Sequence, residues 1–176
     1  VIVTGTFNEK SRLASSIASS TLSEKNIKNS AALGTAELLG NVTGTFVDAS
    51  AGSIFTRVYS RGISSSAEED IGWYYMSLQE DGLPITNDHT TYYGPDLFHR
   101  ADLTTRRLEA VRGGSAMITS TNAPGGVFNF ISKTGSDQFG AEVLVTGGLQ
   151  GDNNLLARYD VNVGGPISDN GLNYNI

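Results

Sequence analysis

Cysteine is absent from the 176-residue sequence. Disulfide staples and cysteine-ligated zinc are therefore excluded, while the redox compartment stays open. Imidazoles are almost absent too, His89 and His99 being the two histidines. No apolar run approaches the roughly 18 residues that a membrane-spanning helix needs. No signal peptide is visible, since Val1 opens directly on a strand-like run, so an exported protein is expected to be represented here by a mature or trimmed piece. Positive charge is also short. Twelve Lys and Arg against 18 Asp and Glu leave a net charge of −6. Nucleic acid, which wants a basic face, is not expected as a partner.

Catalytic and metal-binding patterns are missing as well. No His-Glu-x-x-His occurs, so zincin chemistry is out. "GGSAM" lacks the closing glycine of a nucleophile elbow. "GGLQG" has the wrong spacing for a phosphate or dinucleotide loop. The acidic run Glu68, Glu69, Asp70 lacks the alternating oxygen ligands of a calcium loop and reads as a solvated turn. His89 beside Asp88 and His99 beside Arg100 are two loop histidines without a partner set. No catalytic residue, cofactor or metal site is expected.

Glycine is what the sequence has in plenty, 21 residues, with 12 of them after position 112. Together with a hydrophobic fraction of 39%, this reads as short strands and turns rather than helices. "VIVTGT" (1–6) is β-prone and ends at a glycine. Helical signals run from 21 to 44: Ser23 can cap a turn with Glu24 in its first turn. Leu33, Leu38 and Leu39 with Ala32 and Ala36 form an apolar stripe there, and Gly40 is a stop. "SIFTRVYSRGI" alternates as a strand, and Asp81-Gly82 marks a turn. "RRLEAVRGG" alternates again, and "SAMITSTN" suits a short helical turn.

"AMITSTNAPGGVFNFISKTG" (116–135) puts Pro-Gly-Gly directly before a strand, which a strand interior does not tolerate without a reason. Beyond Gln138 the alternation is cleaner. Ala141, Val143 and Val145 oppose Glu142, Leu144 and Thr146. Tyr159, Val161 and Val163 oppose Arg158, Asp160 and Asn162. Leu172, Tyr174 and Ile176 oppose Asn173 and Asn175. An outer-membrane barrel alternates in this way, and so does the half-wet sheet of a soluble β-sandwich, which the pattern alone puts ahead.

Five segments, in order, resemble the plug domain of TonB-dependent outer-membrane receptors. "VIVTGT" resembles the energy-coupling box region. "AELLGNVTGTFV" resembles the helix and following "PGV" turn, with Thr43 where the family often has proline. "VYSRGI" resembles the "IRG" element and "LQEDGLPI" the "DG" element. "RRLEAVRGGSAMITSTNAPGGVFNFISKTG" resembles "RIEVLRGPASALYGSGAIGGVINIITK". The resemblance covers about residues 1–135, and the tail resembles the family's first barrel strands.

The resemblance implies an α+β plug, a small mixed β-sheet with short helices, followed by the first antiparallel strands of a transmembrane β-barrel of about 22 strands. It divides the chain into a plug (1–135) and a barrel start of about three strands (136–176), as a fragment of a longer protein. It implies the outer membrane of a Gram-negative bacterium, with the plug inside the barrel lumen. The function implied is TonB-coupled import of a scarce nutrient, an iron–siderophore or similar chelate or an oligosaccharide. The alternatives are a signal-transducing receptor of the same architecture, with an extra periplasmic domain before Val1, and a soluble β-rich binding module.

Partners implied are the periplasmic domain of TonB, the protein's own barrel, a small-molecule substrate, and membrane lipid along the barrel strands. Val1, Ile2, Val3, Thr4 and Gly5 take the place of the coupling box. Arg61 and Arg112 match the arginines of two "RG" elements and imply a lock to barrel carboxylates, with Glu109 beside them or serving Arg107. Trp73, Tyr74, Asp88, His89, Tyr92 and Tyr93 fall on substrate-facing loops, although Trp73 and Tyr74 read equally as core. Asp81, Gly82, Gly113, Gly114, Gly125 and Gly126 are turn positions. The Gly125–Gly126 pair is expected where a side chain would clash with the barrel wall.

Overall fold

The computed structural model describes residues 4, 17–52, 55–65, 73, 75–85, 94–114, 116, 120, 123–151, 154–168 and 170–176. The helical stretch begins after β1 (Ser19–Ser23) and is two helices, α1 (Glu24–Ser30) and α2 (Thr35–Leu39). Ser23 caps α1 as its position suggests, its Oγ accepting from the Asn26 N–H at 3.3 Å. The chain breaks at Ala31, which takes the left-handed conformation at φ 48° and closes α1 on the Lys28 carbonyl. Helix α2 buries Ala36, Leu38 and Leu39. Leu33, expected in that stripe, stays exposed.

Two short hairpins follow. β2 (Thr45–Asp48), β3 (Arg57–Ser60) and β4 (Ile63–Ser64) form one antiparallel sheet. β5 (Met76–Glu80) turns back into β6 (Leu83–Pro84). Both two-residue turns have positive φ throughout: 52° and 82° at Arg61-Gly62, 50° and 86° at Asp81-Gly82. That is the type I′ signature, whose twist matches the flanking strands.

β7 (Thr105–Val111) and β8 (Gly126–Ser132) complete a five-stranded sheet in the order β1-β7-β8-β5-β6. β8 lies in the middle, antiparallel to β7 and parallel to β5. Its central place explains why "GVFNF" is buried on both faces. On one face Phe128 and Phe130 join Leu78, Leu108, Ala110, Met76 and the apolar side of α2 in the main core. On the other, Val127 packs with Val111, Ala116 and Ala123, while the neighbouring positions are polar. Glu109 and Asn129 face each other there across β7 and β8.

Gly126 starts β8 at φ 128°, and a Cβ there would lie 2.7 Å from the Val111 carbonyl oxygen. The close approach of β7 by itself demands this glycine, within the plug sheet. Of the helical turn expected at "SAMITSTN", all but Ala116 and Ser120 lies outside the described residues.

The tail is a separate three-stranded sheet, ordered β11-β10-β9, of β9 (Gly140–Gln150), β10 (Asn154–Pro166) and β11 (Asn173–Asn175). One face of the β9–β10 hairpin is apolar and exposed, with Val143 opposite Val161, Val145 opposite Tyr159 and Leu149 opposite Leu155. The other face carries Glu142, Arg158, Asp160 and Asn162 and is half-buried or buried. A soluble sandwich would turn the apolar face inward; here it is turned out. Between β8 and β9 the chain runs close over β11. A Cβ on Gly135 would meet the Tyr174 backbone at 2.6 Å.

Candidate functional site

Arg61 and Arg112 come together. Both side chains border the Gly44 turn: a Cβ on Gly44 would lie 3.4 Å from Arg112 Nη1 and 3.9 Å from Arg61 Cγ, while Arg61 Nη1 would lie 3.6 Å from a Cβ on Gly113, the residue after Arg112. The backbone fixes each arginine. Arg61 N–H donates to the Gly44 carbonyl at 2.9 Å, and Arg112 N–H to the Ala18 carbonyl at 3.0 Å. Arg112 is buried and gives one Nη2 bond to Ser20 Oγ. Its Nε is buried with no hydrogen-bond partner. Burial, and then the charge of Arg61, push the Arg112 guanidinium down from its ordinary value. No carboxylate among the described residues pairs with either arginine. Two converging cations with an unused donor make a site that calls for an anion.

Glu109 serves Arg107, the second of the two roles expected of it, which corrects its grouping with Arg61 and Arg112. It is 1% exposed on β7 and accepts from Arg107 Nε at 2.7 Å. Its second oxygen accepts from both the N–H and the hydroxyl of Thr4, at 2.8 and 2.7 Å. Asn129 Nδ2 donates to the same hydroxyl at 3.0 Å. The Asn129 carbonyl oxygen accepts from Gly82 N–H at 3.0 Å, so the Asp81-Gly82 turn belongs to the same network. Of the coupling box, Thr4 is described; Val1, Ile2, Val3 and Gly5 lie outside the described residues.

Of the substrate-facing set only Trp73 is described, and there the core reading holds over the substrate-facing one. Trp73 is 3% exposed and packs in the main core, as befits an indole with more area to bury than any other side chain. Tyr74, Asp88, His89, Tyr92 and Tyr93 lie outside the described residues. His99 is half-buried at the edge of that core. Its ring lies 4.4 Å from that of Phe130, and burial pushes its pKa down. Among the described residues no group of His, Asp and Glu could hold a metal ion, and no helix is long and apolar enough to cross a membrane. Of the turn positions, Gly113 has φ 84° while Gly114 meets open space. Gly125 is hemmed in at 3.0 Å by Met76 and the Tyr75 carbonyl.

The sequence reading missed the seam between the tail and the rest. Glu24 and Lys28 of α1, Lys133 after β8 and Glu142 of β9 form a square of alternating sign, each ammonium touching both carboxylates. Arg158 of β10 donates to the Ala101 carbonyl at 2.6 Å and the Ala32 carbonyl at 3.3 Å. Asp160 steadies it at 2.7 Å. A cavity of ≈30 Å³ remains beside Arg158, and a larger one of ≈620 Å³ opens between α2, β2 and Leu156 of β10. The signal for these residues was in the alternation. Charges on one face of an otherwise apolar hairpin need something polar to face.

The profile of the TonB-dependent receptor plug domain family matches residues 11–127. No curated protein matches the sequence. Among solved structures the chain is similar to the alcaligin outer-membrane receptor FauA from Bordetella pertussis, with a TM-score of 0.70 and 21% identity over 97% of this chain and 27% of that one. It is similar to the ferripyoverdine receptor of the outer membrane of Pseudomonas aeruginosa, with a TM-score of 0.67 and 19% identity over 97% and 20%. It is also similar to the ferric yersiniabactin uptake receptor FyuA from Yersinia pestis, with a TM-score of 0.59 and 20% identity over 87% and 22%. The chain thus spans between 20% and 27% of the length of these structures, and at such identities the likeness is one of fold. The mixed five-stranded sheet with two short helices is the plug fold expected from the sequence. With the family profile matched over more than half its length, the chain belongs to the TonB-dependent receptor plug domain family.

Proposed function

We propose that the chain forms the plug and opening barrel strands of an outer-membrane transporter that imports a ferric siderophore or similar chelate by coupling to TonB. The observation that carries this reading is the tail hairpin, apolar on the outside and charged on the side of the plug. Such a hairpin fits a lipid-embedded wall around a polar lumen. The outer membrane of a Gram-negative bacterium, with the plug inside the barrel, is the place for this protein. The plug–barrel boundary falls near Gly135. In support, β8 pairs with the plug strands β5 and β7, while β9, β10 and β11 pair among themselves.

Arg61 and Arg112 are the plug's side of a lock to carboxylates of the barrel. A guanidinium stays charged and holds a carboxylate bidentately, and the unpartnered Arg112 Nε supports this role. Residues Val1 to Gly5 add as a strand to the periplasmic domain of TonB, a pairing made through the backbone. β-Branched Val1, Ile2 and Val3 favour the extended form it needs. A ferric chelate is the favoured substrate because the similar structures are named for alcaligin, ferripyoverdine and ferric yersiniabactin.

The test is Val3→Pro in the full-length protein. Proline removes the N–H that strand pairing uses. Uptake should be abolished with substrate binding intact, and unchanged uptake would remove the coupling role. A binding screen of iron chelates and oligosaccharides tests the substrate class, which falls if only an oligosaccharide binds.

A further inference from the structure

The larger cavity, ≈620 Å³, lies where the plug faces the tail hairpin. Such a volume suits a small molecule. Leu33 before α2, Val47 of β2 and Leu156 of β10 supply apolar wall. Two polar side chains on the same cavity are deeply buried, Asp96 at 9% exposed and Thr56 at 6%. The Thr56 hydroxyl has no hydrogen-bond partner. A buried hydroxyl in that state is costly and calls for a partner. Asp96 spends one oxygen, Oδ1, on the Thr35 and Ala36 amides. Its Oδ2 accepts from no group among the described residues.

Fixed charge on the cavity comes in both signs. Glu37 of α2 lines it, one of its oxygens accepting from the Leu33 N–H at 2.9 Å. Arg100 lines it too and forms an ion pair with no carboxylate among the described residues. After burial and the two amides, the charges of Arg100 and Glu37 act on the Asp96 carboxyl in opposite directions.

We infer that this cavity is a binding site for a small zwitterion with an apolar body, of the α-amino acid class. The ammonium goes to Asp96 and Glu37. The carboxylate goes to Arg100, whose guanidinium can hold it through two bonds. Thr56 Oγ1 donates to the carboxylate or accepts from the ammonium. The apolar body lies on Leu33, Val47 and Leu156. A plain cation would face the Arg100 guanidinium and a plain anion would face two carboxylates, so each meets a repulsion that the zwitterion avoids. The plug supplies α2 and β2 and the tail supplies Leu156, so the bound molecule spans both and stabilises their docking by mass action.

The probe is radiolabelled L-leucine, measured by equilibrium dialysis against the full-length protein in detergent micelles. Saturable binding of one leucine per chain is expected. N-acetyl-leucine lacks the ammonium and leucinamide lacks the carboxylate. Each should compete about tenfold more weakly, as for a lost hydrogen bond to a charged group. Asp96→Asn keeps an oxygen for the α2 amides and should weaken leucine about tenfold. Thr56→Val removes a hydroxyl that the fold leaves unpaired. It should leave the unfolding midpoint unchanged or higher while weakening leucine several-fold. Leu156→Trp fills the cavity from β10, without touching the plug sequence, and should abolish binding. Absence of saturable binding overturns the inference. Binding that Thr56→Val and Leu156→Trp both leave unchanged overturns it too, because leucine then sits elsewhere. Leucinamide competing as well as leucine itself overturns the assignment to a zwitterion.

Discussion

At the scale of single residues, Asp96 does the work of a cap that α2 lacks. The residue before α2 is Gly34, with no side chain to offer. Asp96, 61 residues beyond Thr35, accepts instead from the Thr35 N–H and, at 3.4 Å, from the Ala36 N–H. Gly34 leaves it room, since a Cβ there would lie 2.5 Å from the Asp96 carboxylate. Burial raises the Asp96 carboxyl above its usual 3.8, against the lowering by the Thr35 and Ala36 amides. The folded state then holds the proton more tightly than the unfolded chain. The contribution of Asp96 to stability falls as pH rises from 3.8 through the raised value. Asp96→Asn should remove that slope, and Asp96→Ala should cost about 1 kcal/mol, as for other lost caps. Denaturant unfolding at pH 4 and pH 7 checks both. None of this was legible in the sequence, because the cap comes from a distant loop. The Ser23 cap of α1 was legible because its partner lies three residues away.

At the scale of elements, the square of charges joins α1, the exit from β8 and β9. Lys133 and then Lys28 hold the Glu24 carboxyl below its usual 4.5. Glu142 and then Glu24 hold the Lys28 ammonium above its usual 10.5. A lowered carboxyl stabilises above its unfolded value and stops doing so as pH falls through the folded one. A raised ammonium stabilises below its unfolded value and is lost as pH climbs past the folded one. The square thus holds across the neutral range and fails first on the acid side, below pH 4.5. Its members are partly exposed, so each pair contributes only about 0.2–1 kcal/mol and is screened by salt. Amides of α1 should exchange faster at 1 M than at 0.1 M salt, and Lys28→Met should reduce the difference, leaving the part carried by the Glu24–Lys133 pair. Alternation made β7, β8, β9 and β10 readable strand by strand. It could not reveal that β5 lies parallel to β8, because that neighbour is set by the chain's path and not by local pattern.

At the scale of the whole molecule, the tail hairpin decides between two readings that the sequence left together. Period-two alternation is the same in a sandwich and in a barrel. Only the position of the plug shows that the charged face is the inner one. Val161, opposite Val143 on the outer face, is the place to test it. Val161→Arg in the full-length protein should cost about 2–4 kcal/mol if it meets the bilayer midplane. It should block assembly, read as loss of the heat-modifiable gel form. Leu156→Thr, on the inner face, should assemble normally.

Lys28 meets Glu142 across 114 residues of chain, while Lys133 meets the same carboxylate from nine residues away. That geometry sets where this protein can be cut and grafted. A chimera joining its plug to a foreign barrel at Gly135 would leave two ammonium groups and two plug carbonyls, those of Ala32 and Ala101, facing an unmatched wall. A joint made after Pro166 carries Glu142, Arg158 and Asp160 across with their partners. The exchangeable module is the plug together with its first hairpin.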